Sequence, residues 1–125
     1  MTPFGRRMRE LRQAQGLTLK EMAARLDVSA AYLSALEHGK RGRPNRVFLI
    51  QVVGVLGLDW DEQDEIERLA VLSHPRVTVD TQGLAPEATL VANLLAERIG
   101  GLDPETLDVL LGILRGDGAG TRPKE

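Results

Sequence analysis

The sequence contains no cysteine and no long apolar run. Without cysteine the chain forms no disulfide bond and offers no thiolate ligand to a metal ion, which suits a reducing compartment. No apolar run approaches the ~20 residues that a membrane-spanning helix needs. The opening residues, MTPFGRRMRE, also lack the apolar stretch of a secretory signal. We therefore expect a soluble, cytoplasmic protein without membrane contact.

The sequence also lacks a recognisable catalytic constellation. The two histidines, His38 and His74, lie in different segments, and neither belongs to a known nucleophile or metal motif. An acidic cluster near the middle of the chain lacks the glycine and the ligand order of a calcium-binding loop. The helix dipole would stabilise such acids in a first helical turn. The cluster consists of Asp59, Asp61, Glu62 and Asp64. The sequence thus predicts no enzyme activity, no cofactor and no metal site.

The charges are distributed unevenly along the chain, although the net charge is only -2. Residues 1–46 carry ten Lys/Arg and four Asp/Glu, whereas the remainder carries six Lys/Arg and fourteen Asp/Glu. A basic segment followed by an acidic one is typical of a protein in which only one end contacts a polyanion. The N-terminal segment is therefore the candidate nucleic-acid-binding part.

Residues 17–39, LTLKEMAARLDVSAAYLSALEHG, predict two short helices joined by a tight turn. Thr18 and Glu21 have the spacing of a capping box, in which a hydroxyl and a carboxylate satisfy free amides at a helix start. Ser29 is a second cap, and Gly39 is suited to end the second helix in the left-handed conformation. The apolar positions are Leu19, Met22, Ala23, Leu26, Tyr32, Leu33 and Leu36. Two such helices form a helix-turn-helix, whose second helix enters the major groove of DNA.

This stretch and its surroundings, residues 4–58, resemble the XRE family, the helix-turn-helix type of the phage lambda repressor and Cro. The residues that match the family pattern in register are Gly16, Leu17, Thr18, Glu21, Ala23, Leu26, Val28, Ser29, Tyr32, Leu33, Ser34, Glu37, Gly39, Lys40, Arg41, Pro44, Leu56, Gly57 and Leu58. Two positions differ. Leu19 replaces a glutamine that usually bonds a phosphate, and Asp27 replaces a glycine in the turn. The resemblance also implies an ion pair between Arg12 and Glu37.

The helix-turn-helix predicts a DNA-contacting surface that includes the basic loop KRGRPNR after Gly39. The candidate DNA-binding residues are Thr18, Lys20, Ser29, Ala30, Ala31, Tyr32, Ser34, Ala35, His38, Lys40, Arg41, Arg43 and Asn45. The predicted front of the second helix has no Arg, Asn or Gln, the side chains that make bidentate contacts to bases. We therefore expect weak direct readout, biased towards the methyl group of thymine.

Three further helices would complete a five-helix DNA-binding domain of the lambda-repressor type over residues 1–72. They are predicted at residues 4–15, 46–56 and 59–72, from apolar positions at helical spacing and from cap residues before them. Trp60 is expected to pack in the core where the fifth helix meets the other four.

The remaining residues predict a linker and a pair of helices. Residues 73–85 form either a plain linker or, where 76–80 alternate polar and apolar, one short strand that pairs with its mate in a dimer. Residues 86–115 predict a helical hairpin too small to bury its own apolar surface, so we expect it to dimerise. The candidate dimerisation residues are Leu90, Leu94, Leu95, Ile99, Leu107, Leu110, Leu111 and Leu114. Residues 116–125 are expected to be disordered.

The sequence as a whole predicts an all-α fold and the function of a sequence-specific, DNA-binding transcriptional regulator, a dimeric repressor that binds a palindromic operator. Two alternatives stay open. The chain could be an antitoxin that represses its own operon, or an adaptor whose C-terminal hairpin binds a partner protein. The expected partners are double-stranded DNA and a second copy of the chain.

Overall fold

The computed structural model describes residues 1–40 and 44–116, and every regular element among these residues is a helix. The α-helices are α1 (Pro3–Ala14), α2 (Leu19–Leu26), α3 (Ala30–Glu37), α4 (Arg46–Leu56), α5 (Trp60–Val71), α6 (Pro86–Arg98) and α7 (Pro104–Arg115). A short 3-10 helix, Ile99–Gly101, follows α6. The predicted all-α fold is confirmed. Within the described ranges, no helix is long and apolar enough to cross a membrane.

Six of the seven α-helices begin at a polar cap residue. These caps are Thr2, Thr18, Ser29, Asn45, Asp59 and Asp103. Each cap side chain accepts a hydrogen bond from an amide that the first helical turn leaves free. In α2 the bonding is reciprocal, because the Thr18 amide donates to Glu21 Oε1 over 2.8 Å and the Glu21 amide donates to Thr18 Oγ1 over 3.0 Å. The hydrogen bonds from the Thr18 backbone and side chain lower the pKa of Glu21.

The chain divides into two compact units, one from Met1 to Val77 and one from Thr78 onward. Among the described residues, the buried apolar side chains all belong to the first unit. In it, α1 packs against α3 and α5, α2 packs against α3 and α4, and α4 packs against α5. The core consists of Phe4, Met8, Leu11, Leu17, Met22, Ala23, Leu26, Leu33, Leu36, Phe48, Leu49, Val52, Leu56, Ile66 and Ala70.

Trp60 does not pack in the core, so the expectation from the sequence is wrong at this residue. It is the first residue of α5, directly after the cap Asp59, and it is 80% exposed. The core-facing residues of α5 are Ile66 and Ala70, both fully buried. At about 100° per residue, Trp60 points roughly 120° away from Ile66 around the helix axis. The rotation of α5 that buries Ile66 therefore turns Trp60 to solvent.

The second unit contains α6, the 3-10 helix and α7. Hydrogen bonds from Thr106, through its side chain and its amide, lower the pKa of Asp103, the cap of α7. No residue of the described part of this unit, residues 78–116, is buried. The apolar side chains of α6 and α7 thus stay exposed or half-buried in the single chain. The residues 76–80 before and at the start of this unit form no strand there, and their pairing with a second copy stays a prediction.

Candidate nucleic-acid interface

The helices α2 and α3 are joined by a turn of three residues, Asp27 to Ser29. Asp27 adopts the left-handed conformation, with a φ of 58°, and it is the only non-glycine residue with positive φ among those described. The amide of Asp27 donates to the Ala24 carbonyl over 3.2 Å, and that of Val28 donates to the Ala23 carbonyl over 3.0 Å. These bonds satisfy carbonyl groups that the end of α2 would otherwise leave free. An aspartate thus closes the turn in which the XRE pattern has glycine.

The outward face of α3 carries small side chains. Ala31, Ser34 and Ala35 share this face at helical spacing, and the larger His38, the residue after α3, follows on the same side. All four residues are exposed or half-buried. On the opposite side, Leu33, Leu36 and Glu37 are buried against the rest of the unit. A helix whose outer face has short side chains lets its backbone approach a flat or grooved partner closely. It offers few groups that would identify one base pair by bidentate hydrogen bonds.

The residues predicted to contact DNA, where the structure describes them, are all exposed or half-buried. The described members are Thr18, Lys20, Ser29, Ala30, Ala31, Tyr32, Ser34, Ala35, His38, Lys40 and Asn45. The two remaining members, Arg41 and Arg43, lie outside the described residues. Ser29, Tyr32 and Asn45 line one shallow groove where the start of α3 meets the start of α4. Tyr32 packs there edge-on against Phe48, with 6.1 Å between the ring centres.

His38 is held at the end of α3 by its own helix. Its Nδ1 lies 2.8 Å from the Ser34 carbonyl oxygen, which can only accept, so Nδ1 carries the proton. The other ring nitrogen, Nε2, is therefore the one free to contact a ligand. After His38, Gly39 turns the chain with a φ of +77°, and the Lys40 amide donates to the Ala35 carbonyl over 2.9 Å. This closure places Lys40 directly after the outward face of α3.

Several basic residues of the N-terminal segment form no salt bridge with any residue that the structure describes. Within residues 1–46, five described cations are exposed and form no salt bridge. These are Arg6, Lys20, Arg25, Lys40 and Arg46. Unpaired exposed cations are free to neutralise phosphates without first losing an internal ion pair. The described residues contain no group of three or more His, Cys, Asp or Glu placed to hold a metal ion.

A buried ion cluster anchors the C-terminal end of α3 to α1. Glu37 is 1% exposed and Arg12 8% exposed at their side chains, with 3.6 Å between Glu37 Oε2 and Arg12 Nη2. Arg12 also donates from Nη1 to the Leu17 carbonyl over 3.1 Å, which ties α1 to the start of the helix-turn-helix. A second arginine, Arg9, donates from Nη2 to Glu37 Oε1 over 3.3 Å.

The contribution of Arg9 was not predicted from the sequence. The residues Arg9 and Arg12 are three positions apart on α1, so they lie on the same face, and this spacing was the available signal. Arg9 is 40% exposed at its side chain, and it therefore screens Glu37 from solvent on the outer side of the cluster. The carboxylate of Glu37 is thus shared between two guanidinium groups.

The start of α1 also crosses the end of α3 at very short range. The Thr2 amide donates to the Glu37 carbonyl over 3.2 Å, and the Gly5 amide donates to Thr2 Oγ1 over 3.0 Å. A Cβ atom added at Gly5 would overlap the backbone carbonyl of Glu37. Only glycine fits at this crossing, and this requirement was not predicted from the sequence. Both the cluster at Glu37 and this crossing fix the C-terminal end of α3 against α1.

Comparison with known proteins agrees with this geometry. A family model described as a helix-turn-helix domain matches residues 3–69. Over 61 residues the chain is 38% identical to an uncharacterised HTH-type transcriptional regulator, RghRB, and 34% identical to the HTH-type transcriptional repressor RghR, both from Bacillus subtilis. The match covers 49% of this chain, and it spans only 44% and 45% of the length of these two relatives. No solved structure matches the chain significantly. The family model covers more than half of the chain, and we conclude that the chain belongs to the helix-turn-helix family, with a domain of the XRE type.

Proposed function

We propose that this protein is a DNA-binding transcriptional regulator, a homodimeric repressor that recognises a palindromic operator. The observation that carries the proposal is the α2–turn–α3 unit, in which α3 turns an outward face free of bulky side chains to solvent beside unpaired cations. In the helix-turn-helix such a helix lies in the major groove. The names of the two Bacillus relatives, a transcriptional regulator and a repressor, support the same function.

Affinity would come mainly from the phosphates. Lys20 at the start of α2 and Lys40 after α3 flank the recognition helix and are exposed, and neither forms a salt bridge among the described residues. Contacts to phosphate position a protein on the duplex without reading its sequence. With alanines at positions 31 and 35, direct base readout would be weak and directed to thymine methyl groups. The deformability of the DNA and the spacing of two half-sites would supply the remaining specificity.

A second function is favoured by one observation, the exposed apolar surface of the second unit. No residue of its described part is buried, and such a surface would also suit a partner protein. In that case the chain would act as an adaptor. An adaptor would bind DNA no better than an unrelated acidic protein, so a measurement of DNA binding distinguishes the two functions.

The affinity for DNA should depend strongly on the salt concentration. The wild-type protein should bind a duplex selected from a randomised library, and its affinity should fall steeply as the salt concentration rises. The reason is that Lys and Arg side chains that bind phosphates release the counterions condensed on the DNA. For about 6–10 phosphate contacts per dimer, the slope of log K against log salt should be roughly -5 to -9. Fluorescence anisotropy at several salt concentrations measures this slope. A flat dependence would contradict the proposal.

A matched pair of variants tests whether Lys40 contributes to this salt dependence. Lys40→Ala should reduce the magnitude of the slope by about two units per dimer, one for each lost contact, and weaken binding to all sequences alike. Arg76→Ala removes the same charge from a residue outside the helix-turn-helix and should leave the slope unchanged. Equal slopes for the wild type and Lys40→Ala would remove Lys40 from the proposed DNA-contacting surface.

The second unit should hold the proposed dimer together. Deleting the chain from Leu84 onward should leave a folded monomer, because the described core lies entirely within the first unit. Its affinity for DNA with two half-sites should fall by about a hundredfold or more, since the two domains are no longer linked. Affinity for a single half-site should be unchanged, which is the internal control. Sedimentation that shows a tight dimer of the truncated protein would contradict this assignment.

A further inference from the structure

The outward stripe of α6 is apolar along its centre and charged at both ends. Leu90, Val91 and Leu94 are 58%, 64% and 47% exposed, and Leu95 is half-buried beside them. Their spacing puts all four on one face of the helix. One turn before Leu90 the same face carries Glu87, and one turn after Leu94 it carries Arg98. We refer to these six positions as the α6 stripe.

The chain itself contacts the opposite face of α6. There, Asn93 Nδ2 donates to the Thr89 carbonyl over 2.8 Å, and the Thr89 hydroxyl lies 2.8 Å from the hydroxyl of Thr81 in the preceding segment. Glu87 and Arg98 form no salt bridge among the described residues. The polar side of α6 is therefore engaged within its own unit, whereas the α6 stripe has three exposed apolar side chains, one half-buried leucine and two charges without a salt bridge among the described residues.

The α6 stripe is symmetric about the midpoint between Ala92 and Asn93. If two copies of α6 lie antiparallel about this midpoint, Leu90 faces Leu95 of the second copy and Val91 faces its Leu94. The same register places Glu87 opposite Arg98 of the second copy, at both ends of the pair. A two-fold interface requires this reciprocity, in which one residue contacts a second and the second contacts the first.

The charges distinguish α6 from α7. The apolar stripe of α7 runs from Leu107 to Leu114, with its centre between Leu110 and Leu111. An antiparallel pair of α7 helices about that centre would place Arg115 opposite Thr106 rather than opposite an acid. Both helices therefore offer apolar contact, but only α6 adds matched charges in the register that its apolar residues define.

We propose that a second copy of this chain covers the α6 stripe, with the two α6 helices antiparallel and Glu87 of each copy paired with Arg98 of the other. This inference rests on the proposed homodimer and specifies its register. The apolar side chains supply the attraction, and the two ion pairs select the antiparallel register over a parallel one. In a parallel pair, Glu87 would face Glu87 and Arg98 would face Arg98, which is repulsive at both ends.

Whether Glu87 and Arg98 face charges of the second copy can be tested first by charge reversal and mixing, without DNA. Glu87→Arg and Arg98→Glu proteins are each expected to self-associate poorly, because each homodimer faces like charges at both ends. When mixed, they should form heterodimers about tenfold in excess of the statistical share, since both ends then face opposite charges. Native mass spectrometry measures the shares. The loss of helix-dipole interactions is the same in homodimers and heterodimers, so it does not affect the comparison.

The matched control uses the corresponding charges of α7. Glu105→Arg and Arg115→Glu proteins should mix statistically, because no ion pair of the proposed interface involves them. A statistical mixture of the α6 variants, from a wild-type protein that is a dimer, would overturn the inference but leave the proposed homodimer intact. A wild-type protein that sediments as a monomer would overturn both.

The orientation is tested by cross-linking, for which a chain without cysteine is well suited. In the antiparallel register, Glu87 lies close to Arg98 of the partner copy, but the two Glu87 residues lie about 16 Å apart along the axis. A short bismaleimide should therefore cross-link a mixture of Glu87→Cys and Arg98→Cys proteins and should not cross-link either protein alone. Cross-linking of Glu87→Cys alone would show a parallel pair and would overturn the inference.

Discussion

Replacing Gly5 by alanine should destabilise the first unit by about 3 kcal/mol or more. The added methyl group would overlap the Glu37 carbonyl, and the obstacle is backbone rather than the end of a flexible side chain. Relief requires α1 and α3 to separate, which would stretch the 3.2 Å hydrogen bond from the Thr2 amide to the same carbonyl. Chemical denaturation followed by circular dichroism would measure the loss in the free energy of unfolding.

The chain provides a matched control at Gly54. This glycine also lies inside a helix, α4, but a Cβ atom added there would have no neighbour within 4 Å. Gly54→Ala should therefore stabilise the protein by about 0.5–1 kcal/mol, since alanine is the better helix former. The same substitution is thus expected to have opposite signs at the two positions. A neutral Gly5→Ala variant would mean that α1 and α3 do not cross so closely.

Replacing Arg12 by alanine should cost about 3 kcal/mol, more than any other arginine substitution in α1. The change removes a buried partner of the Glu37 carboxylate and the donor to the Leu17 carbonyl. We expect the lower end of the range for a broken buried pair, because Arg9 still lies 3.3 Å from Glu37. Thermal and chemical denaturation of the variant both report the loss.

Substitutions of two other arginines of α1 serve as controls for this result. Arg6 is exposed and forms no salt bridge among the described residues, so Arg6→Ala should change stability by no more than about 0.5 kcal/mol. Arg9→Ala should cost about 1 kcal/mol, since its contact with Glu37 is half-exposed. If Arg12→Ala and Arg6→Ala proteins unfolded at the same denaturant concentration, the cluster would have no structural role.

Substitutions at Gly5 and Arg12 are also expected to affect the proposed DNA contact. Gly5 and Arg12 both act on Glu37, the last residue of α3. A change in the tilt of α3 would move its outer residues relative to the flanking lysines. The substitutions are therefore expected to weaken DNA binding at temperatures where the variant proteins are still folded, although neither residue lies on the outward face of α3.

Local sequence signals predicted the helices well because their causes are local. The capping box joins Thr18 and Glu21, which are only three positions apart, and it forms as the spacing indicates. Asn45 and Ser29 cap α4 and α3 for the same reason. Gly57 ends α4 in the left-handed conformation, with a φ of 62°. Each of these interactions joins residues close in the chain, so a reading of the sequence can identify both partners.

The sequence by itself thus determined the number and order of the helices, their caps and the helix-turn-helix pattern. Only the tertiary structure decided which residues meet across helices. It turned Trp60 to solvent, brought Arg9 to the carboxylate of Glu37, and pressed Gly5 against the carbonyl of the same residue. These outcomes depend on the rotation and the crossing distance of packed helices, which are set jointly by many side chains of the core rather than by the neighbours of any one residue.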